Sequence, residues 1–301
     1  MGVRHLLGAP APATRSAGPE LEFVVTVVEQ ASVRTGWVQT EGDRLYYEER
    51  GRGRPLLMIS GGGGDAGIYG PAASMLADEF RVITYDRRAN SRSTRNEPQN
   101  FEVSQQARDA LAILNAVGDE SAIIFGNSGG AVIALEIAKM RPQAVQLAVV
   151  HEAPTVRLLP DARKWSRFFA ACYATAFRFG PHVAMLRFAL STGIPRSALR
   201  AVPHDVAQRL SRNFEFFVKH EMVPFVSYKP DFDKLRKGTA SIVASAGRWT
   251  LERKLFYGRT AQILADQVGC DMMPLPGNHL SYLDRPRVWA DELRAILRKA
   301  K

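Results

Sequence analysis

The alternation of apolar and polar positions divides the chain into short strands and longer helices. Two alternating runs between Gly36 and Gly51 flank Glu41-Gly42-Asp43 and predict a β-hairpin, because such a tripeptide is typical of a tight turn. Continuous apolar runs predict strands that are buried on both faces of a sheet. These runs are Pro55–Ser60, Arg81–Asp86, Ala122–Phe125, Ala144–Glu152, Ser241–Gly247 and Cys270–Pro276.

Apolar residues at helical spacing lie between most of these strands. They predict helices over Tyr69–Asp78, Val103–Val117, Phe256–Val268 and Arg285–Lys299, and a further helix from Gly129 onward. Strands that alternate with helices after an initial hairpin predict an α/β fold. Its central sheet should be mostly parallel and covered by helices on both faces.

The middle of the chain departs from this alternation. Residues 153–237 show no strand pattern but several helical runs, such as KWSRFFAACYATAFRF. We therefore predict one α/β core formed by residues 36–154 and 238–301, with residues 155–237 as a helical insertion between the two halves of its sheet. Residues 1–35 are predicted to be an N-terminal extension that is partly flexible, since its beginning is rich in Ala, Pro and Gly.

The composition is that of a folded globular chain with excess positive charge. Of 301 residues, 46% are hydrophobic and 23% are charged, and the formal net charge is +10. No apolar run approaches the roughly 20 residues that cross a bilayer, so we expect a soluble, cytoplasmic protein without a transmembrane segment. Cys172 and Cys270 lie far apart without metal-ligand spacing, so neither a disulfide framework nor a metal site is predicted.

The positive charge makes nucleic-acid binding an alternative to be weighed. Residues 155–236 hold 14 Lys/Arg against 6 Asp/Glu and so carry most of the excess. The densest arginine cluster, DRRANSRSTR, is one loop without interleaved aromatic residues, which disfavours nucleic-acid binding. We expect a small-molecule substrate instead, and the basic insertion would attract an acidic substrate or an anionic surface. The sequence leaves homo-oligomerisation open.

The stretch SAIIFGNSGGAV, Ser121–Val132, carries the most specific motif. An apolar strand leads directly into a helix here, and GNSGG between them matches G-x-S-x-G. In this turn a serine, here Ser128, lies on strained backbone with its hydroxyl above the sheet. The flanking Gly126 and Gly130 are expected because a Cβ at either position would collide where strand and helix approach. A glycine-rich turn with a capping serine is the alternative interpretation.

These features together resemble the α/β-hydrolase fold superfamily, in its branch of esterase-like serine hydrolases. Over residues 36–301 the hairpin, the GGGG loop, YDRRANSRS, GNSGG, a helical lid and a late histidine in PLPGNHLSYLDRP follow the family's order. The resemblance implies that Ser128 is the nucleophile and His279 the general base, with no metal or organic cofactor. The base would take the serine proton and pass it to the leaving group.

The resemblance also implies where an oxyanion would be stabilised. The family uses the amide after the nucleophile, here Gly129, and one amide of the early glycine loop, here Gly62 or its neighbour Gly61. That loop begins with Ser60-Gly61 where the common family form has His-Gly, so a usual supporting side chain is replaced. The lid aromatics imply an apolar pocket roof. The residues expected at the pocket are Gly61, Trp165, Phe169 and Phe217.

The acidic member of the triad is the least determined. Most relatives carry it after the strand that follows the lid, but SAGRWTLERK has Thr250 near that place and no carboxylate before Glu252. The alternative family position is the end of the strand before the lid, where VVHEAP supplies Glu152. We therefore rank Glu152 first, then Glu252, then Asp231 or Asp233.

The predicted function is cleavage of a carboxylic ester or lactone with an apolar acyl or aryl portion, through an acyl-serine intermediate. Carbon–carbon bond hydrolysis and perhydrolysis use the same Ser-His site and stay open as alternatives. So does a hydrolase-like fold that binds a ligand without turnover, because a fold alone does not decide function.

Overall fold

The computed structural model of the protein describes residues 32–94, 96 and 101–299. Most of the predicted N-terminal extension, residues 1–31, therefore lies outside the described residues. The strands form one eight-stranded sheet in the order β1-β2-β4-β3-β5-β6-β7-β8. Their bounds are β1 Arg34–Thr40, β2 Asp43–Arg50, β3 Arg54–Ile59, β4 Phe80–Tyr85, β5 Ala122–Asn127, β6 Val145–His151, β7 Ile242–Ser245 and β8 Asp271–Met272.

The α-helices lie between and after these strands. Their bounds are α1 Gly70–Leu76, α2 Val103–Ala116, α3 Gly129–Met140, α4 Ala162–Phe179, α5 Pro181–Thr192, α6 Arg196–Arg200, α7 His204–Phe216, α8 Met222–Ser227, α9 Phe232–Lys237, α10 Arg248–Glu252, α11 Phe256–Val268, α12 Ser281–Asp284 and α13 Pro286–Leu297. Short 3-10 helices cover Ala66–Tyr69, Pro142–Ala144 and Val156–Leu158, and a π-helical turn covers Phe217–Glu221.

The predicted mostly parallel sheet is confirmed. Strand β2 is antiparallel to both β1 and β4, whereas every pairing from β4 through β3, β5, β6 and β7 to β8 is parallel. The predicted hairpin is β1–β2, and its turn places Glu41 and Gly42 at φ values of 43° and 83°. Such left-handed backbone at two successive residues is typical of a tight hairpin turn.

The last strand is shorter than the sequence predicts. The apolar run Cys270–Pro276 contributes only Asp271 and Met272 to the ladder as a strand. Proline has no backbone N–H, so Pro274 and Pro276 cannot donate to a sheet. Between them, Leu275 still donates its N–H to the carbonyl of Ala246 at 2.9 Å.

The sheet is covered on both faces, which explains the continuous apolar strands. Along β5, Ile123 and Phe125 pack in one buried cluster that includes residues of α1 and α13. Ile124, on the opposite face, packs in a second cluster with residues of α2 and α3. Successive residues of a strand face opposite sides of the sheet, so both sides of β5 must be apolar.

Helices α4 to α9 form the insertion, residues 155–237, between two adjacent parallel strands. Strand β6 pairs with β7, with His151 opposite Ser245. The chain thus leaves the carboxyl edge of the sheet after β6 and returns to the neighbouring strand. None of the helices within the described ranges combines the length and the apolarity needed to span a bilayer.

Candidate active site

Ser128 lies on the turn between β5 and α3. Its backbone has φ 57° and ψ −120°, which is unusual for a residue with a side chain. The tight approach of strand and helix accounts for the glycines. A Cβ on Gly130 would lie 2.0 Å from the carbonyl oxygen of Ile59, and one on Gly126 would lie 2.3 Å from that of Gly130. The turn therefore presents the serine while glycine allows the close backbone contact.

Glu152 follows β6 directly and is fully buried. Its φ of 53° turns the chain at the edge of the sheet. One carboxylate oxygen, Oε1, accepts the backbone N–H of Gly247 at 2.8 Å. The other, Oε2, accepts a hydrogen bond from Nδ1 of His279, which lies in the loop between β8 and α12. With Nδ1 occupied, Nε2 is the imidazole nitrogen left for another partner.

The other carboxylates that the sequence suggested lie elsewhere. Glu252 is exposed at the end of α10. Asp231 caps α9 by accepting the N–H of Lys234 at 3.1 Å, and Asp233 forms an ion pair with Arg236 on the same helix. Within the described residues, Glu152 is thus the one of the four ranked carboxylates that contacts His279.

Burial affects the pKa values of two neighbouring residues at this edge of the sheet, Glu152 and His151. Burial raises the pKa of the Glu152 carboxyl, but His151, the His279 imidazole and the Gly247 amide together bring it below its ordinary value. Burial lowers the pKa of His151 to about 4, so this ring is neutral near pH 7. The carboxylate beside His279 is therefore ionised in the same pH range in which His151 carries no charge.

A polar network under Ser128 had no counterpart in the sequence-based prediction. Nδ1 of His151 bonds to Oδ1 of Asn127 at 2.7 Å, and Nδ2 of Asn127 donates to the Tyr282 hydroxyl at 3.2 Å. Because the Asn127 oxygen can only accept, His151 carries its proton on Nδ1. The available sequence signals were the polar residue before Ser128 and the histidine before Glu152.

The glycine loop after β3 borders Ser128. A Cβ on Gly61 would lie 2.8 Å from Cβ of Ser128, and one on Gly62 would lie 2.4 Å from the Phe217 ring. Arg87, fully buried, supports this loop from behind: Nε donates to the Ser60 carbonyl at 3.1 Å and Nη2 to the Gly61 carbonyl at 2.9 Å.

The same guanidinium forms a bidentate ion pair with Glu221 at 2.7 Å for each bond. Glu221 belongs to the π-helical turn of the insertion and is itself fully buried. The C=O and N–H of a trans peptide point in opposite directions, so holding the Gly61 carbonyl directs the Gly62 N–H away from Arg87. The sequence placed Arg87 in an arginine-rich loop, but it did not indicate a partner 134 residues away along the chain.

Two adjoining cavities lie between the sheet edge and the insertion. Both are lined by Ser128, His279, Phe188, Ile194 and Phe217. The smaller, ≈ 420 Å³, also contacts Gly129 and Phe169, and the larger, ≈ 970 Å³ including its open mouth, also contacts Gly61 and Gly62. The space that reaches the serine is thus mostly apolar.

Trp165 was predicted at the pocket and does not line either cavity. Its ring packs on Phe256 with centroids 4.4 Å apart, and its indole N–H donates to Asp161 at 3.2 Å. Helical spacing placed Trp165 and Phe169 on one side of α4, but only Phe169 extends to the smaller cavity. Trp165 instead stabilises the base of the insertion against α11.

The groups that meet at these cavities are a serine hydroxyl and an imidazole that is bonded to a carboxylate. In the ranges that the structure describes, no three His, Cys, Asp or Glu side chains lie together in a way that could hold a metal ion. Cys172 is buried in the insertion and Cys270 is partly buried, and both are free thiols.

Comparisons with known proteins agree with this architecture. A family model described as alpha/beta hydrolase fold matches residues 54–179. A protein of Bacillus subtilis named "Uncharacterized hydrolase YraK" is 30% identical over 276 residues, which cover 90% of this chain and 98% of that protein. The chain belongs to the α/β-hydrolase family. The match extends well beyond the elbow motif and includes the insertion.

Solved structures show the same α/β-hydrolase fold at lower identity. Est816, described as an N-acyl homoserine lactone degrading enzyme, superposes with a TM-score of 0.68 at 22% identity, over 86% of this chain and 99% of that one. A thermophilic esterase from Thermogutta terrifontis gives a TM-score of 0.70 at 19% identity, over 89% and 99% of the two chains. At such identities the likeness shows the fold alone.

Proposed function

We propose that this α/β hydrolase cleaves a carboxylic ester or lactone through an acyl-serine intermediate. The observation that carries the proposal is the bond between the buried Glu152 carboxylate and Nδ1 of His279. The same imidazole lines the cavities that Ser128 lines. A carboxylate on Nδ1 holds the tautomer whose Nε2 is a base, which is what a serine nucleophile requires.

In the proposed reaction, Nε2 of His279 accepts the Ser128 proton while Oγ attacks the substrate carbonyl carbon. The carbonyl oxygen takes the negative charge, and the amides of Gly129 and Gly62 stabilise it. The imidazolium then gives its proton to the departing alkoxide, which leaves an acyl-serine. A water molecule, deprotonated by the same imidazole, hydrolyses that ester and restores the serine. Glu152 stabilises the imidazolium throughout.

The cavity walls support a substrate with an apolar acyl or aryl portion. Aromatic rings of Phe188 and Phe217 line both cavities, and Phe169 and Phe225 line the smaller one. Burying such a portion against these rings stabilises the bound substrate by roughly 25 cal/mol per Å² of apolar surface. Two of the structural relatives, named for ester and lactone cleavage, agree with this reaction class.

The test combines a serine-directed fluorophosphonate with a short aryl ester. We expect the probe to label the wild-type protein but not Ser128→Ala. On the ester, Glu152→Gln should lose about 10⁴-fold in kcat, since a triad carboxylate contributes that much. Glu252→Gln is the matched control, because Glu252 is an exposed glutamate; it should change kcat by less than about twofold.

Three outcomes would contradict the proposal. Labelling that persists in Ser128→Ala would place the nucleophile elsewhere. Equal losses in the two glutamate variants would remove Glu152 from its proposed role. Thermal stabilisation by esters without any turnover would favour the alternative of a ligand-binding protein on the same fold.

A further inference from the structure

Helices α4 and α5 expose a set of large apolar side chains to solvent. Only Gly180, at φ 91°, separates the two helices, and they pack against each other. Leu190 is 72% exposed, and Phe177, Phe179 and Leu186 are each 60% exposed. We call these residues the outer face; its members are Tyr173, Phe177, Phe179, Val183, Leu186 and Leu190.

The outer face is not the side on which these helices pack into the protein. Phe169 and Cys172 of α4 and Ala184 of α5 are buried in the insertion's own apolar cluster. Val183, Leu186 and Leu190 recur at spacings of three and four, so they form one stripe along α5. Contiguous exposed apolar surface of this kind marks an interaction site in soluble proteins.

The segment that carries the outer face has charge of one sign, and beside it lies the ion pair between Lys219 and Glu215, with Nζ of Lys219 4.9 Å from the centre of the Phe177 ring. Between Ala162 and Arg200 the chain has no aspartate or glutamate. It has seven cationic residues there, and within the described ranges none of them is paired with a carboxylate, although Arg187 donates to the Thr175 hydroxyl at 3.1 Å. They are Arg163, Lys164, Arg167, Arg178, Arg187, Arg196 and Arg200. An apolar stripe among unneutralised cations is complementary to a layer of anionic head groups over acyl chains.

Another side of α5, together with α6, forms part of the wall of the larger cavity. Met185 and Phe188 of α5 line it, and so does Leu199 of α6, which is 47% exposed. Leu199 therefore contacts both the cavity and the solvent. Helix α5 thus carries the apolar stripe on one side and part of the cavity wall on another.

We propose that the outer face docks onto an anionic lipid surface. Its apolar stripe would enter the interface while cations of the same segment contact the anionic head groups. A second copy of this chain fits less well, because a two-fold contact would bring the same cationic surface against itself. Entry of an ester substrate from the lipid layer would follow, and that part rests on the proposed function.

The test measures vesicle binding of the full chain carrying Ser128→Ala, so that its outcome is independent of turnover. We expect cosedimentation with phosphatidylcholine vesicles containing phosphatidylglycerol, and at least about tenfold weaker binding to phosphatidylcholine alone. High salt should weaken binding. The triple variant Phe177→Ser/Leu186→Ser/Leu190→Ser should lose about tenfold or more, as should Arg167→Glu/Arg178→Glu.

Matched controls use residues far from the outer face in the chain. Val288→Ser replaces a 54% exposed apolar residue of α13, and Arg52→Glu reverses an exposed charge between β2 and β3. Both should bind vesicles as the parent does. Absence of binding to anionic vesicles would overturn the proposal, and so would equal losses in the control variants. A dimer that dissociates in the triple variant, without vesicle binding, would assign the outer face to a second copy.

Discussion

Helices α4 to α6 and the segment from α7 to α8 both cover the cavities, but different interactions hold them there. The later segment is joined to the glycine loop by polar bonds: Glu221 to Arg87, Asn213 to the Gly63 carbonyl at 2.7 Å, and Arg209 to Asp65 at 2.6 Å. The earlier segment packs through aromatic rings, as between Trp165 and Phe256. Among the described residues, polar bonds join it to α11 and α12 and not to the glycine loop: the Tyr257 hydroxyl donates to the Thr192 carbonyl at 2.6 Å, and Ser197 to Asp284 at 2.9 Å. Its far side is apolar and exposed.

The two segments of the insertion are therefore expected to have different roles. Buried ion pairs and hydrogen bonds have strict geometry, so the later segment can fix the position of the loop that borders Ser128. Apolar packing tolerates small displacements at low cost, and an exposed apolar face gains by covering itself with a partner. We therefore expect substitutions in the later segment to change catalysis and those on the outer face to change association.

The largest effect is expected from the buried ion pair. Glu221→Gln leaves the Arg87 charge without its carboxylate, which should reduce the free energy of unfolding by about 3–5 kcal/mol. It should also lower kcat on a short aryl ester by up to about 10²-fold, because the Gly62 amide loses its fixed direction. Denaturant titration and steady-state kinetics measure the two quantities.

A double variant separates the two effects. Arg87→Met/Glu221→Leu removes both charges, so much of the lost stability should return, as it does when buried ion pairs become apolar. The carbonyls of Ser60 and Gly61 still lack their donors, so kcat should stay low. Recovery of kcat together with stability would mean that the pair only stabilises the fold.

A smaller effect, on the pH dependence of the free energy of unfolding, is expected from His151 at the end of β6. The folded-state pKa of His151 is about 4 against an ordinary 6.5, so the unfolded chain binds more protons between these values. The free energy of unfolding should therefore fall as pH decreases from about 6.5 to 4, by about 3 kcal/mol from this residue. In His151→Gln that contribution is absent. Parallel stability curves for the two proteins across this window would contradict the assignment.

The smallest effect is expected from the outer face when no lipid is present. Phe177→Ser/Leu186→Ser/Leu190→Ser replaces exposed side chains that line neither cavity. Each replacement should change the free energy of unfolding by less than about 0.5 kcal/mol, and kcat/KM on a short, water-soluble ester should stay the same. A loss of activity on that ester comparable to Glu221→Gln would remove the distinction between the two segments.

Local patterns were sufficient for most of the fold. The apolar run and glycines around Ser128 predicted the β5–α3 turn, and strict alternation with helices predicted the parallel sheet. Periodicity works here because the side-chain spacing of a strand or helix is set within a few residues. The strand predicted over Cys270–Pro276 is shorter than expected, because prolines limit backbone pairing there. Trp165 was predicted at the pocket because it shares a helix face with Phe169, but it packs on Phe256 and lines neither cavity.

The sequence by itself determined the order of elements, the serine turn, and that a histidine follows the last strand. Only the tertiary structure decided which carboxylate meets His279, since Glu152 and Glu252 both lie near plausible strand ends and differ by where β6 and β7 place them. It also decided the partner of Arg87, because Glu221 is distant along the chain and its helix carries no motif. Contacts between distant segments depend on how whole helices and strands pack together. That packing results from many individually weak interactions, which cannot be predicted from a local sequence pattern.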